Sequence, residues 1–175
     1  MTHRAAARTK NQGPVIAAGI LLGAGLGGWA DAILFQQLLQ WHHVLSAVEP
    51  PLELASMKKN LVWDGVLQAL TWLLSVAGLA KLWTAVKRPE VSRSNLALAG
   101  GLLLGWGLFN ALEGTINHQL LGVHHVHAGE RQLAWDLAFV GSGLLMIGAG
   151  WLLIGAGRIN ETRRGGISWR QRTNP

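Results

Sequence analysis

The chain has 175 residues, half of them apolar and only 14% charged, and its mean hydropathy is positive at +0.27. Such a chain is too apolar to be disordered and falls short of the roughly 25% charged residues of an ordinary soluble domain, while the lack of cysteine excludes disulfides, thiolate metal sites and iron–sulfur clusters. The formal net charge of +6 raises nucleic acid as a partner, and the placement of the charges decides against it.

Residues 1–13 form a basic tail carrying His3, Arg4, Arg8 and Lys10. The first apolar segment follows over 14–41. Pro14 opens it, where a helix tolerates proline, and Pro50-Pro51 break the chain beyond it. A basic start, an apolar run and Ala30-Asp31-Ala32 also resemble a secretory leader. The run continues through Leu38-Leu39, which is too long for one. The second segment, 61–83, lies between Lys58-Lys59-Asn60 and Lys87-Arg88-Pro89, and the third and fourth cover 96–123 and 133–154. Each provides the ~20 apolar residues that a membrane-spanning helix needs. The expected fold is all-α, a four-helix transmembrane bundle.

Basic residues set the expected orientation. Twelve of the 15 Lys and Arg lie in the first tail, around Lys81–Arg93, or in the last tail, against Lys58, Lys59 and Arg131 on the other side. Both termini are therefore expected in the cytoplasm. The charge belongs to topology and the lipid surface, so no nucleic acid is needed. The expected organisation is a cytoplasmic tail over 1–13, a four-span membrane domain over 14–157 and a second cytoplasmic tail over 158–175.

The segments repeat. At an offset of 82, Gly19-Ile20-Leu21-Leu22-Gly23 falls on Gly101-Leu102-Leu103-Leu104-Gly105, Asp31 on Glu113, and His42-His43 on His124-His125. At an offset of 72, Leu61, Trp63 and Asp64 fall on Leu133, Trp135 and Asp136. Acid, paired histidines and Trp-Asp recurring at ungapped offsets indicate two parallel two-helix repeats, 14–84 and 95–157. Their pseudo-twofold axis is expected along the membrane normal. Glycines at four-residue spacing, Gly19, Gly23 and Gly27, then Gly101 and Gly105, suit close helix packing.

Ionisable groups inside a membrane are costly and mark function. Each segment has one acid: Asp31, Asp64, Glu113 and Asp136. At 100° per residue Asp31 and His42 share a stripe, as do Glu113, Asn117 and His124, joined by Asn110. His118 lies 140° from Glu113 on the same geometry and is expected to address a neighbouring helix near Asp64 or Asp136. The second helix carries Asp64, Gln68, Thr71 and Ser75 on one face. Asp31, Gln68, Asn110, Glu113 and Asn117 are thus expected to form a buried polar network, with the two deep acids facing each other. Eleven residues of straight helix separate Asp31 from His42, about 16 Å, which predicts two layers that no single ion can join.

The outer layer is the expected metal site: His42, His43, Asp64, His118, His124, His125 and Asp136. Imidazoles with carboxylates suit zinc, copper or iron. Other roles are open to these residues. Asp64 and Asp136 near helix starts can cap free amides, and His3, His127 and the paired histidines can anchor at headgroups.

The motifs Gly-Ile-Leu-Leu-Gly through Gln-Trp-His-His (19–43), Trp63-Asp64-Gly65, Gly105-Trp106-Gly107-Leu108-Phe109-Asn110, Asn117-His118, Gly122-Val123-His124-His125 and Trp135-Asp136-Leu137-Ala138-Phe139 resemble the bacterial membrane-protein family called domain of unknown function 2243. The resemblance covers nearly all of 14–155 and implies a multi-pass protein of the bacterial inner membrane. It implies no activity, cofactor or site residue. The residues themselves support a transition-metal-binding membrane protein. Two alternatives stand beside it. One is a haem or quinone redox module with His42 and His124 as axial pair. The other is a non-catalytic subunit or assembly partner of a larger membrane complex or homo-oligomer. An enzyme of soluble substrates is disfavoured, since no extramembrane domain is present to hold one.

Overall fold

The computed structural model describes residues 10–173, with side chains described through 163. The tail residues His3, Arg4 and Arg8 lie outside the described residues, as do the side chains of Arg164, Arg170 and Arg172. The chain is all-helical, with α1 over Gly13–Asp31, α2 over Leu54–Val86, α3 over Asn95–Glu113 and α4 over Gln132–Thr173. All four are long and apolar enough to cross a membrane. Pro14 occupies the first turn of α1, Glu53 and Ser56 form a reciprocal cap on α2, and the Ser94 hydroxyl accepts from the Ala97 amide to cap α3. The helix expected to end near Ile154 continues as one α-helix beyond the apolar stretch.

The bundle consists mainly of three interfaces: α1 against α3 at its centre, α2 against α1, and α4 against α3. Glycine sets the central spacing. A methyl group on Gly19 would sit 2.8 Å from the Leu98 carbonyl oxygen, and one on Gly101 would sit 2.7 Å from that of Ile16. The backbones themselves are therefore in contact, as small residues permit between spanning helices. The flanking interfaces use the same device. Gly25 packs on the Thr71 carbonyl and Gly107 on that of Gly143, while Gly78 packs on Ala18 and Leu22 and Gly150 on Gly100 and Leu104. Every one of these contacts has its counterpart at the offsets of 82 and 72.

Little apolar surface is hidden inside. Leu61, Trp63, Leu70, Trp72, Leu79 and Trp83 on α2 and Leu137, Leu144, Leu145, Trp151 and Leu152 on α4 are exposed. The buried side chains are instead rich in polar groups, among them Asp31, Gln36, His42, Asp64, Glu113, His118, His124 and Asp136. This apolar-out, polar-in distribution fits a protein whose solvent is lipid. The start of α1, the connection between α2 and α3, and the 157–161 stretch of α4 meet at one end. Asn11 bridges Val91, Gln12 Nε2 donates to the Gly157 carbonyl, and Ser92 Oγ donates to Glu161. The loops 39–53 and 121–131 lie at the other end, where the buried polar residues gather.

Candidate metal centre

The site begins where α1 and α3 change geometry. Each runs directly into a π-helical segment, Ala32–Leu38 and Gly114–Leu120. Its i→i+5 bonding, as in Leu39 N–H to the Leu34 carbonyl and Leu121 N–H to that of Ile116, brings residues five apart together. Gln36 consequently lies over Asp31, donating from Nε2 to Oδ2 at 3.4 Å, and His118 lies over Glu113, with Nε2 3.1 Å from Oε2. The 140° separation expected between Glu113 and His118 assumed α-helical turns and does not hold. The expected contact of His118 with Asp136 does, with Nδ1 3.3 Å from Oδ1.

The chain then reverses. Gln40 (φ 52°) and Gly122 (φ 59°) occupy the left-handed region at equivalent positions. Glycine adopts that region freely, whereas glutamine does so rarely. After the reversal, His42 and His124 fold back to the level of the deep acids. His124 Nε2 lies 2.7 Å from Glu113 Oε1, and His42 Nε2 lies 3.7 Å from Asp31 Oδ2. The two layers expected about 16 Å apart are thus one layer, because neither helix runs straight to its histidine.

The returning segments cross. His42 Nδ1 donates to the Val126 carbonyl at 3.1 Å and His124 Nδ1 to the Val44 carbonyl at 3.0 Å, while the two rings stack with centroids 4.7 Å apart. A carbonyl only accepts, so Nδ1 carries the proton and Nε2 of a neutral ring presents its lone pair. In His124 that lone pair faces a carboxylate oxygen at 2.7 Å. Two electron-rich atoms so close in a buried site need a cation between them, a proton or a metal ion. One donor atom each from Glu113, His118 and His124 lie within 4.8 Å of one another, and all three residues are buried. Among the described residues, both Glu113 oxygens and both His118 nitrogens lack a well-directed hydrogen bond. They converge without satisfying one another, as ligands around an ion do.

The remaining expected ligands have other partners. His43 Nδ1 donates to Asp64 Oδ2 at 2.6 Å, and the Val44 amide donates to Oδ1 at 2.9 Å. In the other half His125 Nδ1 donates to Asp136 Oδ2 at 2.7 Å, and the Val126 amide to Oδ1 at 3.0 Å. These carboxylates clamp the returning segments to α2 and α4. They do not cap helix starts: Asp64 lies well inside α2, and its two oxygens serve another segment. Asp31 and Glu113 do not bond to each other among the described residues; each faces an imidazole instead. Asn110 is buried and donates to Ser142 Oγ at 3.1 Å, while Gln68 and Asn117 are half-buried. His127 is exposed and packs edge-on against Trp41. The His42–His124 stack also differs from an axial haem pair, whose nitrogens face one another across a macrocycle; here the rings touch and their nitrogens point elsewhere.

Of the seven expected ligands, His118 and His124 thus converge, and Glu113, expected only in the polar network, completes their group. Its signal in the sequence was the shared stripe with His124. Fold and site together define a four-span membrane protein with a buried imidazole–carboxylate cluster. The chain belongs to the family described as "predicted membrane protein", domain of unknown function 2243, whose model matches residues 18–157. Comparison with curated proteins and with solved structures found no match.

Proposed function

We propose that this protein binds a transition-metal ion inside the membrane bundle, with Glu113, His118 and His124 as ligands. The observation that carries the reading is the convergence of three buried donor atoms, one each from Glu113, His118 and His124, within 4.8 Å of one another. Two imidazoles and a carboxylate suit zinc, copper or iron. Three protein ligands leave a position free for water or an incoming group, as in open zinc sites. The Val44 carbonyl behind His124 supplies the outer partner that fixes its orientation, and Asp136 Oδ1 stands 3.3 Å from His118 Nδ1.

The basic residues favour cytoplasmic termini, which puts the metal centre toward the outer face of a bacterial inner membrane. The matched contacts at offsets of 82 and 72 support descent of the two halves, 14–84 and 95–157, from one two-helix unit. Metal analysis of the purified protein tests the function. The parent should carry metal, the His118→Ala and His124→Ala variants should lose it, and His127→Ala should keep it. Equal metal in all four, or none in the parent, would leave the histidines as structural groups.

A further inference from the structure

The first half of the chain holds a second buried group of the same plan. Asp31, Gln36 and His42 stand where Glu113, His118 and His124 stand in the second half, and they are only 5%, 2% and 3% exposed. His42 Nδ1 is engaged by the Val126 carbonyl, so its Nε2 presents a lone pair. That atom faces Asp31 Oδ2 across 3.7 Å, too far for a hydrogen bond. Both His42 Nε2 and Gln36 Oε1 lack any hydrogen-bond partner among the described residues. A buried acceptor left without a partner is costly.

We infer that Asp31, Gln36 and His42 form a second divalent-cation site, which rests on the metal reading of the first. A metal–nitrogen bond of about 2.0–2.1 Å and a metal–oxygen bond of about 2.0–2.2 Å span a 3.7 Å gap with an open angle at the ion, whereas a proton does not bridge it. The Gln36 amide supplies the third ligand by turning over, which gives up only its 3.4 Å bond to Asp31 and brings Oε1 to the ion. One imidazole with two oxygen ligands is a harder set than two imidazoles with one carboxylate. It discriminates less against manganese and ferrous iron than the first site does, and it binds zinc more weakly than the first site.

Protein loaded with one equivalent of zinc, which the tighter first site takes, and then titrated with Mn²⁺ separates the two sites. The parent should take one zinc and then one manganese per chain, the latter counted by electron paramagnetic resonance. Asp31→Asn and His42→Ala should lose the manganese and keep the zinc. Glu113→Gln and His118→Ala should lose the zinc. Gln36→His gives the first half a second imidazole and should tighten its binding of zinc at least tenfold, a gain that misfolding cannot imitate. Zinc without stoichiometric manganese, or manganese unaffected by Asp31→Asn together with no gain in Gln36→His, overturns the second site alone. Zinc retained by both Glu113→Gln and His118→Ala overturns the first. An absence of both ions overturns both.

Discussion

Glu113 reaches to 2.7 Å from its histidine, whereas Asp31, at the equivalent position, stops at 3.7 Å from its own. The backbones around them correspond: each acid precedes a π-helical segment, each chain reverses in the left-handed region, and each histidine donates Nδ1 to a valine carbonyl of the other half. The difference therefore comes from side chains. Glutamate has one more methylene than aspartate, and His118 offers two ring nitrogens where Gln36 offers an amide. One scaffold thus presents a nitrogen-rich group in one half and an oxygen-rich group in the other. The backbone sets the geometry of both groups, and two side-chain differences set their donor atoms.

The comparison breaks most visibly at the ligands. Glu113→Gln and His118→Ala should each weaken zinc binding by more than the roughly 10–100-fold that loss of an outer partner costs, as read by competition with a chromogenic chelator. The matching changes Asp31→Asn and Gln36→Ala should leave zinc affinity within a few-fold. Asp136→Asn removes an outer partner of His118 and a clamp on Val126, and should cost about 10–100-fold. The clamp at Asp64 belongs to the other half, and Asp64→Asn should cost less. Where the halves match, their variants should match too. Gly23 faces Leu102 and Gly105 faces Ile20 at equivalent contacts, so Gly23→Ala and Gly105→Ala should each destabilise the fold by about 1–3 kcal/mol, measured by thermal unfolding in detergent. The smallest effect is a pH dependence: protons compete for the imidazole lone pairs, so zinc affinity should fall progressively as the pH is lowered.

Much of this was legible in the sequence, for physical reasons. Hydropathy is a property of long stretches, so four spans could be read directly. The offsets of 82 and 72 pair residues that make matching contacts at the helix crossings and at the clamps, His43–Asp64 with His125–Asp136. Depth was not legible. A helix extrapolated at 1.5 Å and 100° per residue carries His42 and His124 away from the acids, and a π-helical segment leaves no periodic signature over seven residues. The reversal was half-visible, since Gly122 suits a left-handed turn, but Gln40 in the same conformation carries no such signal. The merging of acids and histidines into one layer depends on those two features.

X-ray absorption spectroscopy of the zinc-loaded protein tests the central claim most directly. Two imidazole nitrogens and a carboxylate oxygen should appear at about 2.0–2.2 Å, and this ligand shell should be missing from His118→Ala and from His124→Ala, which do not retain the zinc. A spectrum of oxygen ligands alone, or one unchanged in both variants, would contradict a metal held by Glu113, His118 and His124.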